Sequence, residues 1–343
     1  FSIVSRFHMG FVRAYWNGKT VKCLPSYITS MMLQLSTDYK YFASIRDPIE
    51  IVNKYRSRGF GIILNDHEKL AELPWDAPIN PRYLEVSFGN NCNYRCGYCS
   101  PQASTLWMEE IKKHGNYDLT YNQYGIEFLK NGTYYGPKDE NPYIEAFWRW
   151  WPELYPQLKH FRMTGGEPLM DKNTHRVFDY ILAAPKADLH VDVTSNFSVA
   201  EELFTKYLDK VKELCTGTKI EHFMQYVSLD TGEPEHAEYI RHGLTYNRMF
   251  ENVHRYLDKI PNRNSLTFII TMNNLSVLGI QEQLEWILSL RRLYSKTYQR
   301  VWFDTPLLRS PTWQSLQILP PVYADKLEEV ADWMELNLET ADK

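Results

Sequence analysis

The sequence predicts an α/β protein built on a partial (β/α)6 barrel, and three observations carry that prediction. Short apolar runs alternate with amphipathic stretches from residue 82 to residue 304, the pattern of repeated β–α units around a parallel sheet. The runs number six rather than eight, which leaves the barrel open on one side for a large substrate. A chain of 343 residues, 44% hydrophobic and 15% aromatic, is long enough to bury one barrel-sized core with additions.

Residues 1–80 precede the repeat as an N-terminal extension. Asn17-Gly18 favours positive φ and predicts a hairpin between Phe11–Trp16 and Lys19–Leu24, with a helical stretch following over 47–58. The core, 81–305, places strands at 82–88, 158–164, 189–195, 222–229, 265–271 and 299–304. Between them, Phe204, Leu208, Val211 and Cys215 recur at helical spacing, as do Ile280, Leu284, Ile287 and Leu288, and Phe250, Val253 and Tyr256. An aromatic insertion over 116–155 ends in Phe147-Trp-Arg-Trp-Trp151, a run read as core packing more than as a substrate cover. The C-terminal segment, 306–343, contains a helix over 321–340 whose Tyr323, Leu327, Val330 and Trp333 form a stripe to dock on the barrel.

A net charge of −4 advertises no basic surface for nucleic acid, and no apolar stretch approaches membrane-spanning length. The N-terminus is too polar for a secretory signal, so the expected location is cytoplasmic. Five cysteines, an odd number with three in one cluster, fit a reducing compartment better than a disulfide framework.

That cluster is Cys92, Cys96 and Cys99, in C-x3-C-x2-C spacing with Tyr98 before the third cysteine. Three thiolates so close together can hold three corners of a cubane iron–sulfur cluster and leave one iron open. Zinc completed by a histidine such as His114, or plain buried thiols, are the competing readings. Structural zinc usually draws on a second cysteine knuckle or a histidine pair, and no second knuckle exists here. A second motif, Met163-Thr-Gly-Gly-Glu-Pro168, follows a predicted strand; its glycines let backbone approach closely and Glu167 offers a carboxylate to an ammonium group.

Together these motifs resemble the radical S-adenosylmethionine (SAM) superfamily, over nearly two thirds of the chain. The resemblance implies one [4Fe–4S] cluster on Cys92, Cys96 and Cys99, SAM chelated by the open iron, and reductive cleavage to a 5′-deoxyadenosyl radical that abstracts hydrogen from a peptide, nucleotide or sugar. It implies that Thr164, Gly165, Gly166 and Glu167 receive the SAM amino group and that Tyr98 packs near the adenine. Val191–Asn196, Val227–Asp230 and Ile240–Gly243 lie where the family holds the ribose and carboxylate of SAM, which assigns Ser195, Asn196, Ser228, Asp230 and Arg241 to those groups. Arg241 is expected to serve the ligand rather than the core. A one-electron donor such as flavodoxin or ferredoxin is the implied partner. Methyl or aminocarboxypropyl transfer on the same cluster, and a non-catalytic zinc protein, are the alternatives.

Tyr83–Cys92 and Leu319–Tyr323 are most similar to the twitch-domain, or SPASM/twitch, members of the superfamily. Many of those hold auxiliary clusters on extra cysteines, whereas Cys23 and Cys215 alone cannot complete one, so a single cluster is expected and residues 1–80 read as a cluster-free twitch-like remnant. Asn273, Asn274, Asp304 and Arg309 follow the fifth and sixth strands and are candidate substrate contacts.

Overall fold

The computed structural model describes residues 79–117, 129–130 and 140–338 and, before them, the backbone of four short strands. Those strands lie in a first unit, Phe1–Ile79. In it β1 (Ala14–Trp16) pairs antiparallel with β2 (Val21–Cys23), and β3 (Leu35–Ser36) pairs parallel with β4 (Gly61–Ile62). The first pair flanks Asn17-Gly18 as the hairpin prediction requires; the helix expected at 47–58 lies outside the described residues.

In the second unit, Asn80–Lys343, β5 (Tyr83–Ser87) leads into β6 (Arg95–Cys96), α1 (Thr105–His114) and α2 (Pro142–Leu154). Strands and helices then alternate: β7 (His160–Thr164), α3 (Lys172–Ala183), β8 (His190–Ser195), α4 (Glu201–Cys215), β9 (His222–Ser228), α5 (Pro234–Ile240), β10 (Arg241–His242), α6 (Tyr246–Lys259), β11 (Ser265–Ile269), α7 (Ile280–Tyr294) and β12 (Val301–Asp304), before α8 (Val322–Leu336) closes the described chain. All six predicted core strands are present. They form one parallel sheet in the order β12-β11-β9-β8-β7-β5, so each strand lies beside its predecessor and β5 and β12 are open edges. This is the partial (β/α)6 arrangement.

Side chains alternate across the sheet. Phe161, Met163, Val191, Val193, Phe223, Val227, Leu266 and Phe268 are buried in one core with the helix stripes. The predicted stripes on α4 and α7 are buried; on α6, Val253 and Tyr256 are buried while Phe250 is exposed on one side and stacks on Trp286, with centroids 4.8 Å apart. The other, inner face of the sheet carries polar residues and is only partly covered.

Local signals set the helix starts. Asn141 caps α2, with Pro142 in the first turn where its missing N–H costs nothing, and Asp171 caps α3 through the Asn173 N–H at 2.7 Å. The aromatic run on α2 packs as core: Trp151 is fully buried against Phe161, Tyr155 and Tyr180, and Phe147 meets Phe88. Val330 of α8 is buried, with Tyr323, Leu327 and Trp333 half-buried on the same stripe. Among the described residues, no helix is long and apolar enough to cross a membrane.

Candidate functional site

The cysteines occupy the loop that leaves the C-terminal end of β5, the end at which parallel β/α proteins collect their functional groups. Cys96 is buried and Cys92 and Cys99 are half-buried. The loop is held at several strand ends, and each attachment uses a residue that the motifs contain.

The first attachment is to the turn after β7. Gly166 N–H donates to Gly89 O at 2.9 Å and Glu167 N–H donates to Asn91 O at 2.7 Å. A Cβ on Gly166 would lie 2.4 Å from Asn91 O, and one on Gly165, whose φ is +116°, would lie 2.4 Å from Ser87 Oγ and 2.7 Å from Gly89 O. The space that these glycines clear is therefore taken by the backbone of the cysteine loop and the end of β5.

Glu167 is buried; it caps the turn that follows it and braces the end of one further strand, β8. Its Oε1 accepts from Leu169 N–H at 3.1 Å and its Oε2 from Asn196 N–H at 2.8 Å. Burial pushes its carboxyl up to about 7, against the pull of those two backbone bonds and of the Ser195 hydroxyl. Ser195 and Asn196 end β8 without capping α4, whose N-cap is Ala200. Ser195 Oγ instead accepts from Phe197 N–H at 3.0 Å, and Asn196 Oδ1 from Ser198 N–H at 2.9 Å. Asn196 Nδ2 also donates to Asn93 Oδ1 in the cysteine loop at 2.8 Å. Between these turns Phe197 sits buried at φ +54°, a left-handed conformation rare for a bulky residue.

On the far side, β6 pairs antiparallel with β10, so Cys96 stands opposite Arg241. Arg241 Nη1 lies 3.9 Å from Cys96 Sγ while its Nη2 donates to Asp230 Oδ1 at 2.7 Å. Asp230 Oδ2 accepts from the Tyr98 hydroxyl at 2.8 Å, and the guanidinium lies 5.5 Å from the Tyr98 ring centroid. Burial opposes the guanidinium charge, but Asp230, Tyr98 and Cys96 around it outweigh that, and Arg241 stays charged. Arg241 also serves the fold: with Asp230 it forms a buried ion pair. Its Nε is buried without a hydrogen-bond partner.

The three thiols fit a cubane cluster. Burial pushes Cys96 up to about 12 and raises Cys92 and Cys99, so the sulfurs become thiolates only with a cation to stabilise them. Tyr94 N–H, 3.4 Å from Cys92 Sγ, and Arg241 beside Cys96 are donors of the kind that tune cluster sulfurs. Among the described residues no three His, Cys, Asp or Glu side chains are grouped around the position of a single ion.

The remaining predicted residues lie around this centre or apart from it. Thr164 ends β7 and donates to Glu85 Oε1 at 3.3 Å; Ser228 ends β9, half-buried. Asn273 is buried in its own turn, donating to Thr271 O at 2.8 Å and accepting from Leu275 N–H at 3.0 Å, and Asn274 donates to Trp313 O at 3.2 Å. Asp304 ends β12 exposed, and Arg309 is exposed in the segment after it. Sequence reasoning missed Asn93 and also Gln314, whose buried carboxamide lies against Gly97 in the cysteine loop. Gln314 stands in no motif, and Asn93 fills an unspecified position between Cys92 and Cys96. It also missed the polar inner face, which period-two spacing in Glu85-Ser87, Arg162-Thr164 and Asp192-Thr194 would have revealed.

The sequence profile of the Radical SAM superfamily matches residues 86–287. The chain is 25% identical to the GTP 3',8-cyclase of Syntrophomonas wolfei over 209 residues, 59% of this chain and 51% of that protein. It is 28% identical to the GTP 3',8-cyclase of Nautilia profundicola over 202 residues, 58% of this chain and 51% of that protein. It thus spans about half the length of these curated relatives. An uncharacterized protein of Acanthamoeba polyphaga mimivirus is 52% identical over 68 residues, 20% of this chain and 8% of that one. Among solved structures, Streptococcus suis SuiB aligns with a TM-score of 0.47 at 12% identity, covering 88% of this chain and 55% of SuiB.

Proposed function

The chain belongs to the radical SAM superfamily, and on that premise we propose that it is an enzyme holding one [4Fe–4S] cluster on Cys92, Cys96 and Cys99 and binding SAM at the adjoining strand ends. When bound, the cluster would supply the single electron for cleavage of SAM to methionine and a 5′-deoxyadenosyl group able to take a hydrogen atom from a peptide, nucleotide or sugar substrate.

The observation that carries this reading is the convergence on the cysteine loop of the turn after β7, the end of β8 and the Asp230–Arg241 pair after β9. Arg241 is assigned to the SAM carboxylate through its unpartnered buried Nε, a charged donor in a setting where such bonds are strong. Glu167, Thr164 and the Gly165–Gly166 turn are assigned to the ammonium group, Glu167 through lone pairs that its two backbone bonds leave free. Ser195, Asn196, Ser228 and Asp230 are assigned to the ribose hydroxyls, and Tyr98, fixed by Asp230, to the edge of the adenine pocket. A flavodoxin or ferredoxin is the proposed electron donor.

Anaerobic reconstitution followed by iron and sulfide analysis, and chromatography of the products after chemical reduction with SAM, tests the proposal. About four irons and four sulfides per chain together with 5′-deoxyadenosine are expected. Stoichiometric zinc would overturn it, and S-adenosylhomocysteine or methylthioadenosine in place of deoxyadenosine would replace hydrogen abstraction with group transfer.

A further inference from the structure

Parallel sheets ordinarily bury both faces in apolar packing, yet the inner face here carries charge on neighbouring strands. Glu85, Arg162 and Asp192 stand side by side in register across β5, β7 and β8. Asp192 is buried and holds His160 through a 2.6 Å contact. Glu85 is supplied by hydroxyls, from Tyr83 at 3.0 Å and from Thr164 at 3.3 Å. Arg162 is left short. Its Nη2 donates to Thr194 Oγ1 over a long 3.4 Å, its Nε stands 3.8 Å from Glu85 and is buried without a hydrogen-bond partner, and the fork also hydrogen-bonds the Tyr83 hydroxyl, with Asp192 in register beside it. A guanidinium carries five N–H donors, so most of this one's capacity is unspent.

The group is also fixed in place. Its Cζ lies 4.3 Å from the Tyr226 ring centroid, a cation–π contact that holds the fork, and the side chain is 23% exposed. Arg162 precedes Thr164 by two residues, which puts it about 6.5 Å below the rim where the glycine turn begins. A ligand seated on it would lie inside the open barrel, beneath the SAM-binding rim.

We propose that Arg162 anchors the substrate by an anionic oxygen, a carboxylate or a phosphate, received by the guanidinium fork on the inner face of the sheet. This deepens the function proposed above and rests on it. Glu85 is the neighbour against which the anion must compete, and its two hydroxyl bonds hold it in place beside the fork.

Titration of the full chain with inorganic phosphate and with acetate, followed by 31P and 13C line widths, tests the anchor and distinguishes the two oxygen sources. Saturable binding of at least one anion is expected, weakened more than tenfold in Arg162→Gln and largely retained in Arg162→Lys. Glu85→Gln should tighten the same binding severalfold, a gain that a merely structural Arg162 would not produce. No saturable binding to the wild type, equal binding by folded Arg162→Gln, or no gain in Glu85→Gln would each overturn the proposal. Because the titration needs neither SAM nor cluster, its failure is separable from a failure of SAM cleavage, and iron content and SAM affinity should be unchanged in Arg162→Gln.

Discussion

Replacing Gly166 by alanine separates two roles that a glycine turn beside a cysteine loop can have. If the glycine clears room for a ligand, the alanine variant keeps its stability without SAM and loses only SAM affinity. The structure gives the opposite result. The added Cβ would meet Asn91 O at 2.4 Å, Asn90 C at 2.6 Å and Asn91 C at 2.8 Å, all backbone atoms that no rotamer change can move. The turn must therefore part from the loop, breaking the 2.9 Å and 2.7 Å bonds from Gly166 and Glu167. Two net hydrogen bonds at about 1 kcal/mol each, with overpacking of about 1–3 kcal/mol, place the cost at roughly 3–5 kcal/mol. For a unit of this size that corresponds to a fall in Tm on the order of 10 °C. Thermal melts of the cluster-free protein, with hydrogen exchange at the Gly166 and Glu167 amides, supply the readout. An unchanged melt with both amides still protected would refute the reasoning.

Other perturbations discriminate among the remaining parts. Glu167→Ala strands the Leu169 and Asn196 N–H groups and should cost about 2–4 kcal/mol in urea unfolding while weakening SAM binding roughly ten- to a hundredfold; a loss of affinity with no loss of stability would deny the brace. Because the folded carboxyl of Glu167 is raised to about 7 from an ordinary 4.5, the stability it lends is full at low pH and is lost as pH rises from about 4.5 to 7. Glu167→Gln, which cannot ionise, should therefore gain on the wild type across that window, and parallel stability curves would contradict the raised value. Arg241→Met leaves Asp230 buried without its partner and should destabilise the cluster-free protein by about 3–5 kcal/mol, measurable by denaturant titration. Replacing Cys92, Cys96 and Cys99 together by alanine should remove essentially all of about four irons, whereas Cys23→Ala and Cys215→Ala should each retain them; about eight irons in the wild type would defeat the single-cluster reading.

The architecture was legible because its signals are local. Each of the six strands places residues such as Phe161 and Met163, or Val191 and Val193, at alternate positions, and that spacing survives without knowledge of neighbours. The cysteine spacing and the glycine turn were equally visible. What they do to each other was not, since Glu167 meets Asn196 across 29 residues and Cys96 meets Arg241 across 145. That Arg241 also pairs with Asp230 was not legible, because the two meet only after α5 has turned the chain back. Phe250 read as core on the strength of its period, but its ring lies at the edge of the packed stripe on Trp286. Arg162 went unnoticed because a lone arginine within a strand carries no motif; its meaning comes from Glu85 and Tyr226 on other strands.

The attachment of one short loop to successive strand ends also orders events in the life of the chain. The sulfur-bearing segment precedes the groups that hold it: the β6–β10 pair and the Arg241 contact with Cys96 exist only once residue 242 has been synthesised and folded back, and Gln314 reaches Gly97 later still. Until then the three thiols sit on a peptide with unfilled attachment points. Iron bound by the proposed cluster cysteines of a shorter chain would lack the contacts from Arg241 and Gln314. For the cluster proposed above, the amount of tightly held iron would report how much of a preparation has brought residues 92–99 against β10.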